Sequence, residues 1–456
     1  MLTVREILKA TSGKLLAGEK DLKLKELSTD TRTLKKNSLF VPLVGEHYNG
    51  HDYISKAFKN GASAVLTEKK IKNIPPAKAV ILVKDTLMAL QQIALFQRKR
   101  FKILLIGITG SSGKTTTKDM LASILSLAGK TLKTEENLNN EIGVPKTLLT
   151  MNKTHRYAVI EMAMQVLGEI EELAWIARPN VAVITNIGSA HMEHLRSEDN
   201  IAKAKSEILK FQTKKDIAIL PADDKYFDHL KKKAKGRALS FGINSSADVT
   251  AKDIRFQEKS SSFVIGIKDL EILIDLPLPG KHNIYDALAA AAAAYAIGIK
   301  PEQIKKGLEN IKLSSKRLNM IRSKNLNIID DTYNANPDSM AASLSILENY
   351  QGRRIAVLGD MFELGRIARK SHENIGRLAA NLNIEALITV GALSKYTAKG
   401  AKSSGLKNVY PAKTNKEALK ILKMMVLPND TILVKGSRGM HMEQIVDGLT
   451  GKYAKI

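Results

Sequence analysis

The chain has 456 residues, 44% of them hydrophobic, and a formal net charge of +25. This length predicts two or three domains, and the composition is ordinary for a soluble globular protein. The absence of cysteine excludes disulfides, a cysteine nucleophile and thiolate metal sites. The N-terminal stretch MLTVREILKATSGK is charged throughout and does not fit a signal peptide, so we expect a cytoplasmic protein. The longest apolar run, 287–299, is too short for a bilayer and predicts a packed, alanine-rich helix.

The basic charge could serve nucleic acid or an anionic membrane surface. However, the lysines are spread along the chain, and aromatic residues make up only 5%, so stacking platforms for single strands are scarce. A lysine-rich solvated surface is the simpler interpretation, and an anionic substrate is also compatible with it. We therefore expect no nucleic-acid partner and no membrane insertion.

The first block of the chain, 1–100, has short apolar runs separated by helical and turn-like stretches: LFVPL, ASAVLT and AVILVKD. The second block opens on FKILLIGITGSSGKTTTKDML and continues with the apolar strands YAVIEMA, VAVITNIG and DIAILPAD. Helix-length segments separate these strands, which is typical of a mostly parallel sheet with crossover helices.

Between about 237 and 280 the pattern changes to three consecutive short strands, RALSFGI, SSFVIGI and LEILIDLPLPG, for which antiparallel pairing is expected. From near Ser314 onward a further α/β block alternates helices with NLNIIDD, RIAVLGDM, EALITVG and TILVKGS. The sequence therefore predicts three domains, at 1–100, 101–313 and 314–456.

The segment GITGSSGKTTT lies between an apolar strand and a predicted helix, which is the context of a phosphate-binding loop. Gly110 and Gly113 would let backbone N–H groups face phosphate oxygens, Lys114 would reach the terminal phosphates, and the Thr115 hydroxyl suits Mg²⁺. Ile108 stands where the full motif has glycine, so the match is to the shorter GxxGKT form. The alternative is an ordinary strand–glycine turn–helix junction.

Two further candidates stand after predicted strands, where α/β sheets place function. Glu161 ends YAVIE and could bind Mg²⁺, or it could merely cap a helix. His191 follows VAVITNIGSA and could be functional or structural. A GTPase would need an NKxD motif, but the nearest string, NKTH at Asn152, lacks the aspartate.

Further blocks follow in order along nearly the whole chain: STDTRTLKKNSLFVPLVGEHYNGHDYI, ENLNNEIGVPKTLL, VIEMA, TNIGSAHMEH, AKAKSEI, PGKHNIYDALAAAAAA, DDTYNANPDSM, AVLGDMFELG and VKGSRGMHME. Together with the short loop TGSSGKTTT they resemble the Mur ligase family, ATP-dependent enzymes that join an amino acid or dipeptide to a peptidoglycan precursor. The resemblance implies an N-terminal α/β uridine-nucleotide domain and a C-terminal Rossmann-like α/β domain. Between them it implies a central P-loop parallel-sheet domain with a small antiparallel β portion.

Within the family, NNEIGVP and DDTYNANP resemble the enzyme that adds D-alanyl-D-alanine to UDP-N-acetylmuramoyl-tripeptide through an acyl phosphate. No DNPR-like string of the third-residue adding enzyme is present. Asp286, Asn49 and Thr332 depart from common family residues and leave fine substrate preference open. The alternatives are that third-residue enzyme, a folylpolyglutamate synthetase or a nucleic-acid-bound P-loop NTPase.

We expect a monomer, and the resemblance implies that it uses ATP and Mg²⁺, with two ions. The residues that it places on the nucleotide phosphates are Gly110, Ser111, Ser112, Gly113, Lys114, Thr115 and Thr116. The further nucleotide contacts that it implies are Asn283, Arg317 and Asp331. The implied metal ligands are Thr115, Glu161, His191 and Lys205, and the implied catalytic residues are Lys114, Glu161, His191 and Lys205.

Lys205 matches the family lysine that reacts with CO₂ to give a carbamate, whereas the sequence alone would favour one more surface lysine. The implied substrate residues belong to three groups. Uridine and diphosphate would meet Thr31, Arg32, His47 and Asn49, and the tripeptide would meet Asn139 and Asn140. The acceptor dipeptide would meet Tyr333, Asn334 and Asn336.

Overall fold

In a computed structural model of the chain, the structure describes residues 2–72, 74–312 and 318–451. The first hundred residues form strands and helices in this order: β1 (Leu2–Thr3), α1 (Val4–Thr11), β2 (Lys14–Ala17), β3 (Lys23–Leu24), β4 (Glu26–Ser28), β5 (Ser38–Phe40), α2 (Ile54–Lys59), β6 (Ala62–Thr67), β7 (Ala79–Leu82) and α3 (Thr86–Arg100). A short 3₁₀ helix, Gly50–Tyr53, precedes α2.

The middle of the chain then forms β8 (Leu104–Thr109), α4 (Lys114–Ser126), β9 (Thr131–Lys133), α5 (Gly143–Leu149), β10 (Tyr157–Glu161), α6 (Glu169–Ala177), β11 (Val181–Ile184), α7 (Met192–Leu195), α8 (Glu198–Ser206), β12 (Ile217–Pro221), α9 (Phe227–Lys233), β13 (Arg237–Gly242), β14 (Val249–Phe256), β15 (Ser261–Ile267), β16 (Leu270–Leu276), α10 (Lys281–Ala296) and α11 (Pro301–Glu309).

The last part forms β17 (Asn319–Ser323), β18 (Leu326–Asp331), α12 (Pro337–Glu348), β19 (Arg354–Gly359), α13 (Ala368–Asn381), β20 (Ala386–Val390), α14 (Ser394–Ser403), β21 (Val409–Ala412), α15 (Asn415–Met425), β22 (Thr431–Lys435) and α16 (Glu443–Thr450). Short 3₁₀ helices precede α13 and α16.

The chain divides into two compact units. The first unit comprises Met1–Gly107, Lys130–Ala163 and Glu169–Asn180, and the second comprises Ile108–Gly129, Met164–Gly168 and Val181–Ile456. Both units are mixed α/β with mostly parallel sheets, as the sequence predicts. None of the helices in the described ranges is long and apolar enough to cross a membrane.

The first unit contains a five-stranded sheet in the order β2-β7-β6-β5-β4. The four strands from β4 to β7 pair in parallel, and β2 joins the edge antiparallel to β7. The predicted strands LFVPL, ASAVLT and AVILVKD are confirmed as β5, β6 and β7. Every residue of β6 is buried, since helices cover a parallel sheet on both faces.

In the second unit, β11 to β14 pair in parallel, and β14, β15 and β16 form an antiparallel meander. The prediction of consecutive antiparallel strands is therefore wrong for β13, which pairs in parallel with β12. The helix α9 crosses over between these two strands and so allows them to run in the same direction. The alanine-rich helix is confirmed as α10, whose small side chains let it pack closely against α4.

The second unit also contains a six-stranded sheet in the order β17-β18-β22-β19-β20-β21. All of its pairs are parallel except β17 with β18. Buried aliphatic residues cover both of its faces, with Leu344 and Leu358 among those on one side and Val357 and Ile432 among those on the other. The carboxyl ends of β18, β19 and β22 lie side by side, so the loops that follow them come together.

Candidate active site

Glycine is required at two positions of the loop between β8 and α4. Gly113 is the N-cap of α4 with a φ of 78°, and Gly110 has a φ of 154°. A Cβ atom on Gly110 would lie 1.7 Å from Thr185 Oγ1, and one on Gly113 would lie 2.1 Å from Asp286 Oδ1. Because no side chain fits, the loop backbone stays bare at the N terminus of a thirteen-residue helix, where N–H groups bind phosphate.

Residues that follow β11 hold this loop in shape. The N–H groups of Ser111 and Ser112 donate to Asn186 Oδ1 at 3.1 and 3.0 Å. Thr185 Oγ1 donates to the Ser112 carbonyl at 2.6 Å. The loop amides therefore already face an oxygen acceptor. Sequence reasoning missed Asn186, although its position directly after an apolar strand was a usable signal.

Two lysines lie close enough to influence each other. Lys114 Nζ donates to the Gly110 carbonyl at 2.8 Å, so the side chain folds over the loop. Lys205, on α8, is only 1% exposed, which excludes the surface-lysine alternative. No carboxylate in the described parts of the chain lies within 4.0 Å of its ammonium. Burial, and secondarily the charge of Lys114, holds the pKa of Lys205 well below its usual range.

His191 is held by a carboxylate from another part of the second unit. Its Nδ1 lies 2.6 Å from Oε2 of Glu363, which follows β19 in the motif GDMFELG. Burial lowers the pKa of His191; the hydrogen bond to Glu363 opposes this, and the charges of Lys114 and Lys205 reinforce it. The imidazole is therefore neutral at ordinary pH. Sequence reasoning missed Glu363.

The carboxylate of Asp331, at the end of β18, accepts hydrogen bonds from other residues of the chain. Its Oδ2 accepts hydrogen bonds from Ser343 Oγ at 2.7 Å and from Lys435 Nζ, and its Oδ1 accepts from the Leu318 N–H at 3.3 Å. The ribose contact that we expect of Asp331 stays a prediction, and Lys435 is a neighbour that the sequence did not indicate.

Of the two other predicted nucleotide-binding residues, the structure describes Asn283 but not Arg317. Asn283 lies in the first turn of α10, is 1% exposed, and donates from Nδ2 to the Pro279 carbonyl at 2.6 Å. Its predicted contact with adenine would therefore have to compete with a backbone bond. Arg317 lies outside the described residues.

The loop after β18 contacts the glycine-containing loop between β8 and α4. Asn336 is the N-cap of α12: its Oδ1 accepts from the Ser339 N–H at 2.8 Å, and its Nδ2 donates to Ser112 Oγ at 3.2 Å. Asn334 is exposed, and its Oδ1 accepts from the Arg438 N–H at 3.3 Å. The structure therefore brings two of the three predicted acceptor residues next to the loops that follow β8 and β22, with half-buried Tyr333 between β18 and Asn334.

In the first unit, Glu161 is 2% exposed at the end of β10. Its Oε1 accepts from Asn139 Nδ2 at 2.9 Å, and its own N–H donates to Thr134 Oγ1 at 3.0 Å. Asn139 thus fixes the direction of this carboxylate. Asn140 Oδ1 accepts at 2.9 Å from the N–H of Gly143, the first residue of α5.

The four predicted uridine residues lie around the carboxyl ends of β4 and β5. Thr31 is buried, whereas Arg32 is exposed and forms an ion pair with Asp30 at 2.7 Å. Asn49 Oδ1 accepts from the His51 N–H at 3.0 Å and so caps the 3₁₀ helix, and His47 is exposed. Thr31 and Arg32 follow β4, and His47 and Asn49 follow its parallel neighbour β5.

No three His, Asp or Glu side chains within residues 2–72, 74–312 and 318–451 form a group that could hold a metal ion by itself. Mg²⁺ seldom needs such a cage, because it is usually bound by one or two carboxylates, phosphate oxygens and water. The buried Thr115 hydroxyl in the second unit offers an oxygen, which suits this ion, and so does the buried Glu161 carboxylate in the first unit. The imidazole of His191 is a weaker match.

Similarity to known proteins identifies the family of this chain. The models of the Mur ligase middle domain, the Mur ligase glutamate ligase domain and the Mur ligase family catalytic domain match residues 108–294, 316–438 and 23–98. A UDP-N-acetylmuramoyl-tripeptide–D-alanyl-D-alanine ligase of Bacillus subtilis is 39% identical over 93% of this chain and 92% of its own. The enzyme of that name from Escherichia coli is 37% identical over 94% of each chain. The chain belongs to the Mur ligase family.

Solved structures agree with this Mur ligase assignment. A crystal structure of MurF from Acinetobacter baumannii superposes with a TM-score of 0.93 at 35% identity over 98% of both chains. MurF ligase from Thermotoga maritima in complex with ADP gives a TM-score of 0.85 at 27% identity over 95% of this chain and 99% of that one. The three-domain Mur ligase architecture is thereby confirmed. The domain boundaries 1–100, 101–313 and 314–456 stay a prediction.

Proposed function

We propose that this Mur ligase joins D-alanyl-D-alanine to UDP-N-acetylmuramoyl-tripeptide with cleavage of ATP, in peptidoglycan precursor synthesis. The observation that carries the proposal is the match, over more than nine-tenths of both chains, to relatives named for this reaction. The ADP complex of the Thermotoga maritima relative supports ATP as the nucleotide. Both substrates are small molecules, and we infer that a monomer acts on them in the cytoplasm, where ATP and UDP-linked precursors occur.

The chemistry requires two anions to meet. A carboxylate oxygen of the tripeptide attacks the γ-phosphorus of ATP, ADP leaves, and an acyl phosphate forms. The amine of the dipeptide then attacks the acyl carbon, phosphate leaves, and one proton is released. The bare glycine loop would hold the phosphates in position, and Lys114 would offset the charge that develops during transfer.

The metal assignments are part of this proposal. Thr115 and Glu161 would hold a first Mg²⁺, and His191 would help to hold a second near the carboxylate that is activated. Mg²⁺ supplies charge neutralisation at the transferring phosphoryl group. The neutral state of His191 supports its role, because only an unprotonated ring nitrogen can bind a metal.

Lys205 would act as a carbamate. Its nitrogen lone pair would attack CO₂, a C–N bond would form, one C=O π bond would become the C–O⁻, and the nitrogen would lose a proton. A lowered pKa supports this, because only the free amine reacts, and the amine is populated when burial disfavours the ammonium. The product would be an anion beside Lys114, where an ammonium would be repelled.

The remaining assignments divide between the nucleotide and the two substrates. For the nucleotide we propose contacts from the seven loop residues 110–116 and from Asn283, Arg317 and Asp331. For the donor we propose Thr31, Arg32, His47, Asn49, Asn139 and Asn140. For the acceptor we propose Tyr333, Asn334 and Asn336, because Asn side chains can both donate to a carboxylate and accept from an ammonium.

The deciding experiment offers the purified protein ATP, Mg²⁺ and D-alanyl-D-alanine with each tripeptide donor, lysine or diaminopimelate at the third position. We expect UDP-N-acetylmuramoyl-pentapeptide by mass, with stoichiometric phosphate release only when donor and acceptor are both present. Phosphate release stimulated by DNA or RNA instead would reject the ligase assignment.

Substitution of Asn334 and Asn336 should separate binding from folding. Asn334→Ala is exposed and should raise the KM for D-alanyl-D-alanine about tenfold, the loss of one hydrogen bond to a charged group, with little change in stability. Asn336→Ala should raise the KM similarly but also lower the free energy of unfolding by about 1 kcal/mol, because it removes the N-cap of α12.

Asn336→Asp is the matched control for the capping effect, since aspartate caps a helix equally well but cannot donate to Ser112 Oγ. Its urea unfolding curve should match that of the unsubstituted protein. An unchanged KM for D-alanyl-D-alanine in both alanine variants would mean that this loop does not bind the acceptor.

A further inference from the structure

A short clasp joins the segment after β11 to the segment after β19 within the second unit. Besides the bond between the His191 and Glu363 side chains, the Glu193 N–H donates to the Glu363 carbonyl at 3.0 Å. Arg366 Nη2 donates to the Arg196 carbonyl at 2.8 Å. A Cβ on Gly365 would come within 2.9 Å of Glu193 Cα, so the two backbones touch.

The backbone of His191 and that of Glu363 both adopt a conformation that is unfavourable for residues with a side chain. His191 has a φ of 62° and Glu363 a φ of 60°. A non-glycine residue in this left-handed region is strained, because its Cβ approaches the following carbonyl oxygen. Such strain persists where surrounding contacts fix it, and it is common at functional sites. Here it directs the two side chains at each other.

The hydrogen bond between His191 and Glu363 also determines which ring nitrogen of His191 is available to bind a metal. An ionised carboxylate can only accept, so the hydrogen of a neutral His191 must sit on Nδ1, the atom that faces Glu363. The lone pair is then on Nε2, at the opposite side of the ring. Carboxylates commonly orient metal-binding histidines in this way, and their loss weakens metal binding 10- to 100-fold.

We infer that Glu363 is a positioning residue that fixes the Nδ1–H form of His191 and so presents Nε2 to the activating metal. This inference rests on the proposed function of His191. Because His191 lies within 108–294 and Glu363 within 316–438, the C-terminal domain supplies part of the metal site of the middle domain. The imidazole is oriented for metal only while these two stretches are in contact.

The test compares Glu363→Ala, Glu363→Gln and Arg366→Ala. Arg366→Ala is the matched control, because it removes another clasp bond without touching His191. The first readout needs no turnover: nitrogen NMR of ¹⁵N-histidine-labelled protein reports the ring form of His191, whose signal is identified by its loss in His191→Ala. The second readout is the Mg²⁺ concentration for half-maximal rate of phosphate release.

In the unsubstituted protein and in Arg366→Ala we expect the Nδ1–H form. In Glu363→Ala we expect a shift toward the Nε2–H form and an increase of about tenfold in the Mg²⁺ requirement, with the KM for ATP within about twofold. Glu363→Gln still offers an oxygen acceptor and should keep the Nδ1–H form with a smaller increase.

The inference is overturned if Glu363→Ala keeps the Nδ1–H form, or if its Mg²⁺ requirement rises no more than that of Arg366→Ala. It is also overturned if Glu363→Gln keeps the Nδ1–H form of His191 but shows as large an increase in Mg²⁺ requirement as Glu363→Ala. The charge of the carboxylate, rather than the orientation of the ring, would then be responsible. Failure of the unsubstituted protein to make pentapeptide would instead reject the proposed function, and the NMR comparison would still stand.

Discussion

Replacement of Lys205 by methionine should abolish most of the ligase activity while leaving the protein at least as stable. Methionine fills a similar volume and removes the cost of burying an amine that, within residues 2–72, 74–312 and 318–451, has no carboxylate within 4.0 Å. The free energy of unfolding in urea should therefore be unchanged or higher. Turnover should fall about 100-fold or more, because the carbamate that orients the metal site cannot form.

Two comparisons separate this from a general effect of removing a lysine. Lys203→Met lies on the same helix but is exposed, and it should keep full activity. The smaller variant Lys205→Ala should lose turnover equally but regain part of it with added formate or acetate, which could occupy the space of the carbamate. Full activity of Lys205→Met would refute the carbamate role.

The pH dependence of the carbamate follows from the direction of the pKa shift. Because burial lowers the pKa of Lys205, the reactive free amine is present above that lowered value and is lost as pH falls through it. Activity of CO₂-depleted enzyme should therefore recover on addition of bicarbonate at neutral pH and recover less as the pH is lowered. A recovery independent of pH would show that another group takes up the CO₂.

Strands with long apolar runs were predicted from the sequence, whereas strands without such runs were missed. β6 and β20 are buried at every residue and are visible as ASAVLT and ALITV. β14 is mostly polar after Ala251, and its register shifts between Lys252 and Arg255, which breaks the alternation of a half-buried strand. β17 and β21 are edge strands that need little apolar surface, so nothing in NMIRS or VYPA marks them.

For the site, local sequence indicated the residues that stand at strand ends but not their partners. Lys114, His191 and Asp331 are all preceded by recognisable strands. Their partners lie far away along the chain, as with Glu363 beside His191 and Lys435 beside Asp331. A single sequence contains no record of such pairings, because they depend on the strand order of the sheets. The burial of Lys205 was equally invisible, since charged residues are mostly exposed.

Replacement of Gly113 by alanine should remove ATP-dependent activity through the shape of the phosphate loop. Two penalties apply at this residue: a φ of 78°, which costs an alanine about 1–2 kcal/mol, and a Cβ position 2.1 Å from Asp286 Oδ1. Asp286 is buried and its Oδ1 accepts from Thr117 Oγ1 at 3.2 Å, so its side chain has little room to move. We therefore expect the loop to shift, which takes its amides away from the positions that face phosphate. Loss of aligned N–H donors costs about 100- to 1,000-fold in rate, so turnover should fall by at least that much.

Gly298 provides a control with the first penalty alone. Its φ is 80°, but a Cβ there meets no atom within 4 Å. Gly298→Ala should thus lower the free energy of unfolding by about the same 1–2 kcal/mol and leave ATP binding and turnover intact. Calorimetric titration with ATP and urea unfolding on both variants separate the two effects. Equal losses of ATP affinity in the two variants would show that backbone strain, rather than the space around Gly113, limits the loop. If the crowding at Asp286 is the cause, only Gly113→Ala loses the nucleotide, which would make the close packing of α4 against α10 a requirement for phosphate binding as well as for the fold.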